Sequence, residues 1–223
     1  MERVVRIYAT LLRNDQPNRR CDWKVLKALK DLGLDNETVI IFTSDHGDAA
    51  GSHGLLDKHY VMYNEEVHVP LVIKWPGVVK PGSRCEKFVI NSLDLSATIP
   101  QIAGFNFNQS TGISLIPLLK EGNPENWRKY AFSNYKGQQF GLSVQRMIRN
   151  KRWKYNWNLT DTNELYDLKN DPSKMKNLIA DIDYSSQLKT LRKDLYDDLP
   201  IRKDPALNWA GKIQLLEGKK LVR

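Results

Sequence analysis

Apolar residues in the first half of the chain recur at helical spacing in three segments. These are residues 2–13, residues 22–32 and residues 92–103. Asp22 stands at the N-cap position of the second segment, and a glycine follows each of the last two. The pattern therefore predicts three helices, two of which end at a glycine.

Short, continuous runs of apolar residues lie between these helices. Val39–Phe42 is the first run, "VPLVIK" from residue 69 is the second, and "KFVIN" from residue 87 is the third. Runs of this length and composition are typical of buried strands. Because helices alternate with buried strands through residue 104, the sequence predicts an α/β layered domain.

The second half of the chain changes to a period of two. Trp153, Tyr155 and Trp157 alternate with polar residues after a turn at Asn150–Lys151, which predicts an antiparallel hairpin. The polar residues of this alternation are Lys154, Asn156 and Asn158. The run "ELYDLKNDP" predicts another strand, and leucines at helical spacing predict a helix over residues 184–195.

These patterns divide the chain into two predicted parts. Residues 1–119 are expected to form an α/β layered part, and residues 120–223 an α+β subdomain built from an antiparallel sheet and a helix.

Positive charge exceeds negative charge in this chain of 223 residues, whose formal net charge is +8. Residues 120–160 hold nine Lys or Arg against two Glu. This excess suits an anionic ligand or a solvated face, and since no recognised nucleic-acid fold accompanies it, we expect no nucleic-acid partner. The sequence has no apolar run long enough for a membrane span, and its first residues lack the apolar core of a signal peptide.

Candidate chemistry is concentrated in the stretch "TSDHGD" that follows the first predicted strand. Asp45 and His46 come directly after that strand, where the ligand crevice of an open α/β sheet lies, and Gly47 allows a sharp turn. A carboxylate and an imidazole held together there can share a cation. The carboxylate suits calcium or magnesium, whereas imidazole is more typical of zinc. In the alternative interpretation, Asp45 caps the turn and His46 is a hydrogen-bonded core histidine.

A lysine follows these two residues across a glycine-rich loop. Lys58 lies thirteen residues after Asp45. A lysine near a cation and facing an anion would supply positive charge to an oxyanion or a leaving group. The alternative is a solvated surface lysine without a catalytic role.

The stretch as a whole resembles the C-terminal half of a sulfatase of the alkaline phosphatase superfamily. The residues that carry the resemblance are "TVIIFTSDHGD", "GSHGLLDK" and "YNEEVHVPLVIKWPG", followed by "LDLSATIPQIAG", "TGISLIPLL" and "ELYDLKNDPSKMKNL". They cover nearly all of residues 36–180. The resemblance implies a partial alkaline-phosphatase-like sulfatase fold with a C-terminal α+β subdomain.

The resemblance also implies roles for individual residues. Asp45 corresponds to the acidic ligand of a divalent cation, usually Ca²⁺ with Mg²⁺ as the alternative, and His46 to the neighbouring ligand. Lys58 corresponds to the lysine that contacts the sulfate group and the ester oxygen. The implied reaction is sulfate-ester hydrolysis by a formylglycine nucleophile. His53 is a further substrate-side candidate, with loop structure as its alternative, and His59 and His68 are expected to be structural.

One departure from the family pattern is decisive for activity. The nucleophile motif of the family is Cys-x-Pro-x-Arg or Ser-x-Pro-x-Arg, whereas "CDWKV" at Cys21 and "CEKFV" at Cys85 lack the proline and the arginine. The paired N-terminal aspartates of the cation site are also absent. We therefore expect no turnover by this chain alone. Central strands of the expected sheet are missing as well, so we expect that an N-terminal half-chain supplies them, that the chain self-associates, or that it folds around what remains. Full-length sulfatases are often periplasmic, secreted or lysosomal.

The expected function is thus that of a sulfatase half, with a sulfated small molecule or a sulfated carbohydrate as substrate. One alternative is a phosphoester hydrolase of the same superfamily, against which Lys58 and "ELYDL" argue. The other is a non-catalytic remnant that binds a polyanion through the basic hairpin at residues 146–154.

Overall fold

The computed structural model describes residues 16–55, 58, 60–105, 109–122, 124–137, 143–209 and 217. The helix predicted over residues 2–13 and the side chain of His59 lie outside them. The described residues fall into two compact units. The first draws on Met1–Thr43, Pro70–Cys85 and Pro117–Asn123, and the second on Ser44–Val69, Glu86–Ile116 and Pro124–Arg223. The division predicted between residues 119 and 120 stays a prediction.

The first unit contains a helix and a two-stranded sheet. Helix α1 is Gln16–Asp31. It begins six residues before Asp22, so the prediction that Asp22 caps it is wrong, although the left-handed Gly33 (φ 70°) follows its end as predicted. The first two predicted strands are confirmed as β1, Ile40–Thr43, and β2, Leu71–Lys74. The two strands are antiparallel.

The second unit begins with the segment that follows β1 and contains two helices before its sheet. Helix α2 is Asn64–Val67, and α3 is Asn91–Ile102. The third predicted strand, from residue 87, is wrong because the chain there is irregular and leads into α3. The Phe88 carbonyl accepts a hydrogen bond from the Trp127 indole at 2.7 Å instead of joining a ladder.

The remaining elements follow in chain order. Helix α4 is Ile116–Glu121, helix α5 is Ser185–Ile201, and helix α6 is Ala206–Trp209. Within the described part of the chain, no helix combines the length and the apolar character that a membrane span requires.

Four antiparallel strands form the sheet of the second unit, in the order β3-β4-β5-β6. They are Ala131–Tyr135, Gln145–Arg149, Trp153–Asn158 and Glu164–Asp167. The predicted hairpin is confirmed, since β4 and β5 pair around Asn150. Helix α5, which the leucine spacing predicted, contributes to the apolar core on one face of the sheet. That core includes Ile148, Tyr155, Trp157, Leu165, Leu191 and Leu195.

The opposite face of this sheet is polar, and it is buried. Lys154, Asn156 and Asn158 are 0%, 1% and 7% exposed. The period of two is confirmed, but an antiparallel sheet with one polar face ordinarily turns that face to water. Here protein covers it, and the covering segment also contacts the turn of the candidate functional site.

Candidate functional site

Asp45 and His46 lie side by side in the turn that follows β1. The carboxylate Oδ1 of Asp45 accepts a hydrogen bond from the His46 backbone N–H at 2.9 Å. Its second oxygen, Oδ2, lies 3.6 Å from Nε2 of His46, and the two side chains are 85% and 45% exposed. Asp45 therefore does hydrogen-bond the backbone of the turn, whereas His46 is too exposed to be a core histidine.

The hydrogen bond of the other imidazole nitrogen sets the tautomer of His46. Nδ1 lies 2.7 Å from the carbonyl oxygen of Gly47. Since a carbonyl oxygen only accepts, Nδ1 carries the proton, and the neutral ring has its lone pair on Nε2, on the side of the Asp45 carboxylate. This is the arrangement of a metal-binding histidine, whose ligating nitrogen is unprotonated and whose other nitrogen donates to a carbonyl.

The separation of the two donor atoms also suits a shared cation. Adjacent ligands of one ion with bonds of about 2.0–2.6 Å lie roughly 3–3.7 Å apart, and Oδ2 and Nε2 are 3.6 Å apart. The hydrogen bond from the His46 backbone N–H is the largest of the influences that lower the pKa of Asp45 below its usual range. The carboxylate therefore stays ionised, which is the form that binds a cation.

Two ligands do not complete a coordination sphere. In the described residues no group of three or more His, Cys, Asp or Glu side chains is close enough to hold a metal ion. The Asp45–His46 pair fits one side of a divalent-cation site, whose other ligands must come from elsewhere.

Gly47 fixes the turn to α2 by close backbone contact. Its N–H donates to the carbonyl of Glu66 at 2.8 Å. A Cβ at this position would lie 1.8 Å from the backbone oxygen of Glu65. Glycine is therefore required because another backbone comes too close for any side chain, a reason different from the sharp turn that the sequence predicted.

His53 and Lys58 lie in the loop between this turn and α2, and His68 directly follows α2. His53 has a left-handed backbone (φ 54°), and its ring stacks on Tyr63 with centroids 3.9 Å apart and planes 11° from parallel. Lys58 is exposed. Partial desolvation, and then the charges of Arg149 and Lys154, lower the pKa of His68. The structure thus brings Asp45 and His46 together and fixes His53 on Tyr63.

The sequence analysis did not identify Lys154 of β5, which holds the end of this loop in place through hydrogen bonds. Lys154 is fully buried, and its Nζ donates hydrogen bonds to the Met62 carbonyl and to Oδ1 of Asn64, the latter at 3.1 Å. The polar residues that alternate along β5 were the only signal in the sequence, and we used them only to predict a hairpin.

Residues 51–199 match the family model described as N-sulphoglucosamine sulphohydrolase, C-terminal. The chain is also 32% identical, over 195 residues, to the Delta 4,5-hexuronate-2-O-sulfatase of Bacteroides thetaiotaomicron. That match covers 81% of this chain and 40% of the relative. The chain thus spans about two fifths of the length of this relative.

Two solved structures extend the similarity to the fold. One is a protein in complex with its substrate D-glucosamine-2-N,6-O-disulfate; it has a TM-score of 0.76 and 30% identity, over 83% of this chain and 39% of that one. The other is the phosphonate monoester hydrolase of Agrobacterium radiobacter, with a TM-score of 0.72 and 32% identity over 81% and 38%. These matches confirm the predicted fold class, a partial alkaline-phosphatase-like sulfatase fold. The chain belongs to the sulfatase family, of which it represents the C-terminal portion.

Proposed function

We propose that this chain is the C-terminal part of a sulfuric ester hydrolase that acts on sulfated saccharides. The observation that carries the proposal is the Asp45–His46 pair, whose Oδ2 and Nε2 atoms are 3.6 Å apart, in a chain of the sulfatase family. Both side chains are exposed enough for a ligand to reach them.

Asp45 and His46 are the two ligands that we assign to a divalent cation among the residues that the structure describes. Ca²⁺ is the preferred ion and Mg²⁺ the alternative, because an ionised carboxylate suits a hard cation. When bound, such a cation supplies charge that polarises sulfate oxygens and lowers the pKa of the attacking group. The ring of His46 is held for this role by its Nδ1–H, which donates to Gly47.

Lys58 is the residue that we assign to the sulfate group and the ester oxygen. Its ammonium group would stabilise the negative charge that develops on the leaving oxygen. Its exposure, in the loop that follows the Asp45–His46 turn, is consistent with contact to a bound substrate. His53, stacked on Tyr63, is assigned to the substrate side of the same loop.

The nucleophile of the proposed reaction comes from outside these 223 residues. Neither Cys21 nor Cys85 stands in the formylglycine motif of the family, so an N-terminal half-chain would have to contribute it. The substrate class follows from the relatives, one named a hexuronate 2-O-sulfatase and one solved with a disulfated glucosamine.

Hydrolysis of a phosphonate or phosphate monoester is the second candidate function, favoured by the similarity to the Agrobacterium hydrolase. Polyanion binding without hydrolysis has less support. Of the basic residues in the predicted hairpin, Arg146 and Lys154 are buried. The exposed pair, Lys151 and Arg152, is matched by Glu86 at 3.1 Å and Asp167 at 2.9 Å, which reduces the net charge available to a polyanion.

The test is hydrolysis of a chromogenic aryl sulfate in the presence of Ca²⁺, by the chain alone and after addition of a matching sulfatase N-terminal half. We expect activity only in the mixture, and faster hydrolysis of the aryl sulfate than of the corresponding aryl phosphonate. Activity of the chain alone would contradict the missing nucleophile. A faster reaction with the phosphonate would favour the second candidate, and a folded but inactive mixture would favour polyanion binding.

A further inference from the structure

The polar face of the sheet extends across strands β4, β5 and β6. Register places Arg149 opposite Lys154, and Lys154 opposite Tyr166, so these three side chains share one face. The next row on the same face joins Asn156 to Glu164, with a hydrogen bond of 2.6 Å between their side chains. We call this surface the polar face.

Residues 60–68, here called the 60–68 segment, cover the polar face. At one end Tyr60 stacks on Tyr135 of β3, with ring centroids 4.9 Å apart. The Gln145 side-chain amide donates to the Tyr60 carbonyl at 2.7 Å. Further along, the side chains of Tyr166 and Glu164 interact with the Tyr63 hydroxyl. The contacts to this face are thus mainly polar.

Lys154 makes the central contact between the polar face and the 60–68 segment. Its side chain is fully buried, and its Nζ donates to the Met62 carbonyl and to Asn64 Oδ1, the latter at 3.1 Å. Arg149 points a second donor at the same Asn64 oxygen, at 3.4 Å. A buried amine without such acceptors would be strongly destabilising, so the position of the segment and the burial of Lys154 depend on each other.

The other side of the 60–68 segment contacts the candidate site. The Gly47 N–H donates to the Glu66 carbonyl at 2.8 Å. The ring of Tyr63 stacks on the ring of His53. The segment therefore connects the polar face to the turn that holds Asp45 and His46.

We propose that Lys154 is a positioning residue for the candidate cation site. It holds the 60–68 segment on the polar face, and the segment fixes the Asp45–His46 turn through Gly47. The proposal depends on the proposed function only for the role of Asp45 and His46 as cation ligands. The mechanical link from Lys154 to Gly47 can be tested without it.

The charges around Lys154 support this role. Arg149, Lys174 and His68 face it as actual or potential cations, and Glu164 and Glu65 as anions. Burial, and then the neighbouring cations Arg149 and Lys174, lower the pKa of Lys154 to about 7. An amine that loses its proton near neutral pH still donates two hydrogen bonds, so its contacts to Met62 and Asn64 persist without a buried charge.

Amide hydrogen exchange of the full chain tests the link directly. Lys154→Met keeps the length of the side chain and removes its donors. We expect the Gly47 amide to exchange about tenfold faster or more, because local opening loses its opposing hydrogen bonds. Tyr155→Phe is the matched control: it alters the next, equally buried residue of β5 on the opposite face, and the Gly47 rate should stay within about twofold. A folded Lys154→Met variant with an unchanged Gly47 rate would overturn the proposal.

The pH dependence of Gly47 amide exchange distinguishes a positioning role of Lys154 from a general loss of stability in the variant. In the unaltered chain, opening exposes Lys154 and raises its pKa from about 7 toward 10.5. The protection of Gly47, corrected for intrinsic exchange, should therefore rise above pH 7 by nearly tenfold per pH unit. Lys154→Met should remove this dependence. If the variant does not fold, Asn64→Ala tests the same link from the segment side and should also accelerate Gly47 exchange; equal rates there would count against the proposal.

Calorimetric titration with Ca²⁺ connects the link to the site. If the unaltered chain binds Ca²⁺, Lys154→Met should weaken binding about 10–100-fold, as loss of supporting residues around a metal site typically does. Tyr155→Phe should bind as the unaltered chain does. Absence of Ca²⁺ binding in the unaltered chain would reject the proposed cation site. The hydrogen-exchange rate of Gly47 would still decide whether Lys154 positions the turn. Unchanged affinity in a folded Lys154→Met variant would overturn the positioning role.

Discussion

Asp94 provides the strongest prediction about stability. Its carboxylate is 0% exposed and sits in the first turn of α3. It accepts backbone hydrogen bonds from Ile90 at 2.7 Å and from Ile113 at 2.9 Å. It also forms a two-point ion pair with Arg128, at 2.5 and 2.8 Å. One side chain thereby connects three segments that are distant in sequence.

Asp94→Asn keeps the shape of the side chain and removes its charge. The Arg128 side chain, only 10% exposed, would then keep a nearly buried charge without a partner. Breaking a buried pair in this way costs about 3–5 kcal/mol, whereas replacing both partners costs much less. We therefore expect Asp94→Asn to lose about 3 kcal/mol or more of the free energy of unfolding, and the added change Arg128→Met to restore part of that loss.

Urea unfolding, monitored by tryptophan fluorescence, measures the free energy of unfolding of the single and the double variant. An unchanged m-value would show that the surface exposed on unfolding is the same. Asp197→Asn is the matched control, because it removes an exposed i,i+4 partner of Lys193 and should leave the midpoint unchanged. A loss below about 1 kcal/mol for Asp94→Asn, or strictly additive effects with Arg128→Met, would refute this reasoning.

Two of the three further predictions concern the site and its support, and the third concerns the buried Arg146–Asp204 ion pair. Gly47→Ala should detach the turn from α2, because its Cβ would lie 1.8 Å from the Glu65 oxygen, and faster exchange of the His46 and Gly47 amides would report this. The free energy of unfolding should rise from pH 7 toward 10.5, since the pKa of Lys154 is about 7 in the folded chain and the unfolded chain then binds more protons; Lys154→Met should flatten this part of a urea series. Burial would raise the pKa of Asp204, but hydrogen bonds from Arg146 and the Ala206 amide outweigh it, so the pKa is lowered. The stability that Asp204 contributes should be present above its unfolded pKa and lost as the pH falls through the folded value, and Asp204→Asn should remove that loss.

The sequence predicted the elements whose pattern is local. The alternation around Asn150 identified the β4–β5 hairpin, and the leucine spacing identified α5, because each pattern reflects one buried face. The third predicted strand failed because an apolar run does not reveal hydrogen-bond partners. The Phe88 carbonyl is used by Trp127, 39 residues away, which no local pattern encodes.

The sequence places the two candidate cation ligands next to each other, but it does not reveal which residues support them. Asp45 and His46 are neighbours in sequence, so their proximity required no tertiary contact. Lys154 reaches the 60–68 segment across 92 residues of sequence, measured to Met62. A lysine at a polar position of an alternating strand is normally exposed to solvent, and only the tertiary structure shows that Lys154 is buried.

Calcium titration of the chain and of two single variants tests the assignment of the cation ligands most directly. We expect weak, saturable binding by the unaltered chain, with a dissociation constant of about 10⁻⁴–10⁻³ M or weaker because the site is incomplete. Asp45→Asn should abolish it, while Asp48→Asn, which alters the exposed acid that accepts from the Ala50 N–H, should not change it. Equal binding by the Asp45→Asn variant and the unaltered chain would contradict the assignment of Asp45 and His46 as the cation ligands.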